Sequence, residues 1–200
     1  MPTATVDVID LLVGIDPDTS LDALRRTRPE TRDNAQASYD ALFEPRDAGE
    51  VTALERFAIA SFVASLNGDA AITEHYLGRL AALDGGTALA ATIAEEAAAG
   101  ATTGPYGAYP HDGPLQAENT TGLVYAVQSG NTASLGRLAA ALEHTHLLVF
   151  RPREASSAAL QRLLDAGWST NDIVTISQLV AFLSFQYRVV VGLRLISEES

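Results

Sequence analysis

The sequence predicts an all-α protein, and three observations carry that prediction. Ala, Leu, Glu and Arg dominate the chain, runs of β-branched residues are few before the last segment, and Pro and Gly punctuate it into helix-length pieces. A hydrophobic fraction of 47% is ample for a core, and with aromatics at only 6% that core must come mostly from Ala, Leu, Val and Ile. Two hundred residues suit a single domain, 1–200, or two half-size repeats packed together.

The first convincing helix covers about Arg32 to Phe43 and is stopped by Pro45. A second begins after Val51 and runs to Leu66, where Asn67, Gly68 and Asp69 make a turn. A third spans about Ala70 to Leu83, and a fourth, rich in Ala, ends near Gly100. Pro105, Gly107, Pro110 and Gly113 mark one long loop, 101–114. Beyond it one helix is expected from Thr132 to Phe150, ended by Pro152, and another from Ser156 to Ala166.

The last helix is expected from Asn171 to about Leu195. Ser169 is placed to cap it, with Asp172 three positions on completing a box-like pattern. Ile173, Ile176, Val180, Leu183, Tyr187 and Val190 form a 3,4 stripe, and Val174, Leu179, Phe182, Phe185, Val189 and Leu193 fill the other faces. Such a helix belongs at the centre of a bundle or in a subunit interface. The stretch Ile173–Ile196 is about long enough to cross a bilayer, but Gln178, Gln186, Arg188 and Arg194 interrupt it, so a buried helix is expected rather than a span.

The halves echo each other. Phe43-Glu44-Pro45-Arg46-Asp47-Ala48 matches Phe150-Arg151-Pro152-Arg153-Glu154-Ala155. Either two related half-repeats, 32–100 and 115–196, are joined by the loop, or two ordinary proline-stopped helix ends look alike.

Charge and missing residues narrow the function. Thirteen basic against 25 acidic residues give a net charge of −12, a field that repels phosphate backbones and anionic headgroups, so neither nucleic acid nor a membrane is an expected partner. Without cysteine there is no disulfide, thiolate metal site or dithiol cycle. Without lysine there is no Schiff base, and every cation that could clamp an anion is an Arg. Met1 to Asp10 lacks a basic stretch and does not read as a signal peptide, so a cytoplasmic, bacterial-type protein is expected.

Leu54-Glu55-Arg56, Ser65-Leu66-Asn67-Gly68 and His75 resemble the carboxymuconolactone decarboxylase and alkylhydroperoxidase D-like superfamily. So does the run Asp165-Ala166-Gly167-Trp168-Ser169-Thr170-Asn171-Asp172-Ile173 with Phe185-Gln186-Tyr187-Arg188-Val189-Val190. The resemblance covers roughly 43–83 and 144–195. It implies an alkylhydroperoxidase D-like bundle of helical hairpins that assembles as a homo-oligomer. Its peroxidase branch needs a Cys-x-x-Cys that would fall on Gly68 and Ala71, so that chemistry is lost here. The decarboxylase branch works without a thiol or bound cofactor, and Glu55 and His75 survive as its implied proton-transfer residues.

Each candidate has a structural alternative. Glu55 is either a general base or the closing residue of the capping box Thr52-Ala53-Leu54-Glu55. His75 is either its acid partner or a packed histidine. An antiparallel hairpin about Gly68 offsets the two by roughly 9 Å along the axis, so they need a substrate, a water or another helix between them. His144 and His146, beside Glu143, offer such a group, but two positions apart on a helix they point roughly 200° from each other. Arg188 either binds a substrate carboxylate or pairs with a buried acid. His111, with Tyr106 and Tyr109, lies on a loop that is either a lid or a surface connection. Trp168 is expected to pack a helix joint. The four histidines show no metal-ligand spacing, so no metal and no cofactor are expected.

Two readings follow. One is thiol-independent acid/base chemistry on a small carbonyl or carboxylate compound, with Glu55 and His75 catalytic and His144, His146 or Arg188 binding substrate. The other is a non-catalytic oligomeric protein, or a partner subunit of a cysteine-bearing relative. They separate on whether Glu55 or His75 reaches a cavity.

Overall fold

The computed structural model describes residues 7–47, 49–104 and 106–198. Among these there is no strand, and the all-α class holds. Ala48 of the first Phe-x-Pro joint, Pro105 of the loop and residues 1–6 of the N-terminal stretch lie outside the described residues.

Two short helices precede those expected. Asp7 caps α1 (Val8–Val13) by accepting from the backbone N–H groups of Ile9 and Asp10, and Thr19 caps α2 (Ser20–Arg26). A charge cluster ties them to the next helix: Arg25 pairs with Asp7 and Asp10, and Arg32 with Asp10 and Asp22. That helix, α3 (Pro29–Phe43), starts earlier than Arg32 because Pro29 occupies its first turn, where a missing N–H costs nothing.

α4 (Ala53–Asn67), α5 (Ala70–Ala81) and α6 (Gly86–Ala99) follow the reading closely. Gly68 takes φ 77° to turn α4 into α5, and Asp69 caps α5. After α6 the described residues are irregular to residue 131 apart from one 3₁₀ turn, Gln116–Glu118, so the connection is longer than 101–114.

The expected helix from Thr132 to Phe150 is broken in two. α7 (Thr132–Leu135) and α8 (Leu138–Phe150) meet at Gly136, whose φ of 54° and ψ of −129° only glycine adopts without strain. α9 (Ser157–Asp165) and α10 (Thr170–Glu198) complete the chain. Glu44 and Arg151 end α3 and α8 alike, at φ −130°, ψ 48° and φ −136°, ψ 44°, since a residue before proline is kept out of the helical region. The chains then diverge, with Pro152–Glu154 alone making a 3₁₀ turn.

α4 is the axle of the bundle and packs on α5, α6, α8 and α10. Arg56 to Ala64 are buried without interruption along it, and each such Phe, Ile or Val side chain stabilises the fold by about 1.5–3 kcal/mol. One contiguous core joins residues from both halves of the chain. The stripe read along α10 is buried at Ile173, Ile176, Val180, Leu183 and Val190. The chain's own bundle does not cover α10 all round, since Val174 and Phe185 are about half exposed. α10 is long and apolar enough to cross a membrane by length and composition alone, with a third of its most apolar window buried in the bundle.

Candidate functional site

Glu55 sits in the capping box and is fully engaged there. Its Oε2 accepts from the backbone N–H and the hydroxyl of Thr52, both at 2.9 Å, while the Thr52 hydroxyl accepts from Glu55 N at 3.2 Å. Arg137 then grips both carboxylate oxygens, Nε to Oε1 at 2.7 Å and Nη2 to Oε2 at 2.9 Å. The same guanidinium donates to Glu50 O and lies 3.9 Å above the Trp168 ring, whose indole N–H donates to Arg137 O. Arg137 therefore stitches the start of α4 to the joint before α10. Trp168 packs that joint as expected.

His75 is half-buried on α5, edge-on to Tyr76, with its Nε2 3.4 Å from the Tyr39 hydroxyl. Burial, then the nearby Arg79, lowers its pKa below the ordinary histidine value. Glu55 and His75 thus keep different company, Arg137 and Thr52 on one side and Tyr39 and Tyr76 on the other. Neither lines the cavities that open along the α3–α10 groove, α8 or α9.

His144 and His146 do line cavities, but different ones. The helical period turns them apart, so His144 faces a space of ≈410 Å³ with Ser156 and Ser177, and His146 one of ≈240 Å³ with Tyr125 and Glu143. His146 is almost wholly buried and stacks on Tyr125 at 4.9 Å between ring centres. Its Nε2 lies 3.0 Å from Gly100 O, and since a carbonyl only accepts, Nε2 carries the proton. The neutral ring then leaves Nδ1 unprotonated. Burial lowers the pKa of His146 and favours that neutral form.

Beneath this cavity lies a network that the sequence reading missed. Glu96, on the Ala-rich α6, is completely buried and accepts from the Tyr125 hydroxyl at 2.5 Å and from Asn131 Nδ2 at 2.7 Å, with Gln128 N at 3.3 Å. Burial and the Glu96 carboxylate push the Tyr125 phenol far above its ordinary pKa, so it stays a proton donor. Glu143 Oε1 accepts from Val127 N at 3.1 Å. Arg151 and Arg162 complete the cavity wall, Arg151 also pairing with Glu154. Two carboxylates, a histidine and two guanidiniums therefore surround or underlie one small space. An Ala-rich helix whose Glu95-Glu96 pair sets one acid on its buried side was the one available signal.

Another opening, of ≈500 Å³, lies in the α3–α10 groove beside Ser38, Thr175, Gln178 and Phe182. Arg56 lies at its edge, nearly buried, and donates to Val51 O and Leu42 O. Arg188 is exposed and donates to Ser184 O within its own helix, so the expected pairing with a buried acid is not found among the described residues. His111 is exposed, while its loop is pinned: Tyr106 N donates to Phe150 O, Tyr109 and Asn119 exchange two hydrogen bonds, and Arg153 covers the Tyr109 ring. Among the described residues no group of three His, Cys, Asp or Glu side chains is placed to hold a metal ion.

Compared with models of protein families, with curated proteins and with solved structures, the chain matches none.

Proposed function

We propose that the protein binds a small carbonyl or carboxylate compound in the cavity between α8 and residues 124–127, with His146 as the proton-transfer group. The observation that carries this is the joint presence of Tyr125, Glu143, His146, Arg151 and Arg162 around ≈240 Å³. That volume falls below the ~300–1,000 Å³ of sites for drug-sized ligands and suits a compound of few heavy atoms. Guanidiniums are the natural partners of a carboxylate, and in a chain without lysine they are the only cationic side chains fit for it. The unprotonated Nδ1 of His146 would take a proton from the ligand and return it. This keeps the thiol-independent acid/base chemistry that the decarboxylase-like resemblance implies and moves it away from Glu55 and His75.

Thermal stabilisation by small carboxylates, lactones and β-keto acids tests the reading. A ligand at a hundred times its dissociation constant adds about 2.7 kcal/mol. Stabilisation should vanish in His146→Gln and Arg151→Gln and persist in Glu55→Gln and His75→Gln. The reverse pattern would restore the Glu55 and His75 site.

A non-catalytic, homo-oligomeric protein is the second reading. It is favoured by the engagement of Glu55 and by the exposed apolar Val174 and Phe185 on α10. Size measurement in solution tests its oligomeric half, since a monomer would leave that face without a partner copy, and the ligand panel tests the other half.

A further inference from the structure

The open side of α10 has the period of a helix seam. Every exposed residue between 171 and 195 falls on one stripe whose members stand alternately three and four apart, the seven-residue repeat with which one helix packs along another. Beside the stripe, cavities of ≈500, ≈460 and ≈290 Å³ open one after another along the α3–α10 groove, sharing first Phe182 and then Phe185 as walls. From Thr175 to Leu193 they run about 27 Å at 1.5 Å per residue, too long for one small ligand and the length of a five-turn helix. Gly192, on the same stripe, is a separate sign. Glycine weakens a helix interior relative to alanine, yet no described atom of this chain lies within 4 Å of where a Cβ would stand, so nothing in the chain itself calls for it.

We propose that the groove is filled by α10 of a second copy, the two helices running antiparallel about a twofold axis level with Leu183. That axis sets Phe185 opposite Ala181, Gly192 opposite Val174, Leu195 opposite Asn171 and Arg188 opposite Gln178. Large side chains thus meet small ones, and Arg188, which gives one N–H to Ser184 O, keeps donors for the other copy's amide. A parallel pair would instead set Arg188 on Arg188 and leave gaps at the Ala181 and Gly192 levels. Antiparallel helices also bring opposite dipole ends together. The proposal rests on the homo-oligomeric reading and names its seam, and it is independent of the His146 cavity.

Because the chain has no cysteine, single introduced cysteines report the contact directly. Val174→Cys and Gly192→Cys, mixed under reducing conditions and then oxidised, should give a disulfide-linked dimer. Neither variant alone should do so, since its two thiols would lie about 27 Å apart. Gly192→Trp fills space left open in the single chain, and Phe185→Glu alters a half-exposed side chain, so both should keep the helical circular dichroism of the wild type. Each should weaken the dimer at least about tenfold in sedimentation equilibrium. A monomeric wild type would overturn this proposal and the homo-oligomeric reading together. An oligomer that both substitutions leave intact, a cross-link in either cysteine variant alone, or none in the mixture would overturn the seam and leave that reading standing.

Discussion

Arg137 and Glu55, on opposite sides of the long connection, form a two-point ion pair with contacts of 2.7 and 2.9 Å. Glu55 at the same time closes the capping box of α4, and Arg137 stacks on Trp168. One guanidinium thus couples the helix at the centre of the bundle to the entry of its last helix. The pair accounts for Glu55 in structural terms.

Breaking this pair should weaken the fold more than altering its acid. Arg137→Ala removes the two-point bridge, the bond to Glu50 O and the cover over Trp168, and should cost about 2–3 kcal/mol, since the pair is partly exposed rather than fully buried. Glu55→Gln keeps an N3 residue able to close the box and should cost only about 1 kcal/mol. Urea denaturation of both variants checks the order.

Glu96 should be among the least replaceable polar residues. Glu96→Ala strands the Tyr125 hydroxyl, Asn131 Nδ2 and Gln128 N in the interior, and at about 1–3 kcal/mol for an unsatisfied buried group the loss should exceed that of any exposed acid on α6. Denaturant midpoints for Glu96→Ala and Glu95→Ala make the comparison.

Two glycines in neighbouring helices should respond in opposite directions. A Cβ at Gly86 would sit 1.8 Å from Leu80 O, so Gly86→Ala must displace backbone and should destabilise by more than about 1 kcal/mol. Gly78 lies inside α5 with nothing within 4 Å of that position, so Gly78→Ala should stabilise by roughly 0.5–1 kcal/mol. Thermal melts of the two variants read the signs directly.

Stability should fall as pH drops below about 6.5, the unfolded-state value for histidine. His75, His144 and His146 all bind protons less readily in the fold because burial disfavours their charged forms. Below 6.5 the unfolded chain therefore takes up protons that the folded one declines, and each histidine removes up to about 1.4 kcal/mol per pH unit until its folded-state pKa is passed. Above 6.5 this contribution is flat. His144→Phe, measured without ligand, should lessen the slope relative to the wild type.

Local signals were legible in the sequence and distant ones were not. The boxes Thr52/Glu55 and Ser169/Asp172, the Gly68–Asp69 turn and the proline stops all act within a few residues, and the structure places each where the pattern does. The break at Gly136 escaped because one glycine in an apolar, Ala-rich run is compatible with a continuous helix until packing asks for a turn. α1 and α2 escaped because their short apolar stretches hold only with the charge cluster of Arg25 and Arg32 beneath them. Among candidate residues, the opposite facing of His144 and His146 followed from helix geometry alone. Arg137 with Glu55, and Tyr125 with Glu96, are pairings across the fold that no local pattern announces.

We propose proton transfer at His146 rather than at Glu55. Backbone amide shifts recorded while a stabilising carboxylate or lactone is titrated into the full-length protein test it most directly. The largest shifts are expected at Tyr125, Ala126, Glu143, His146 and Leu147, which line the cavity. Shifts centred on Glu55 and His75, with the 124–127 segment unmoved, would contradict it.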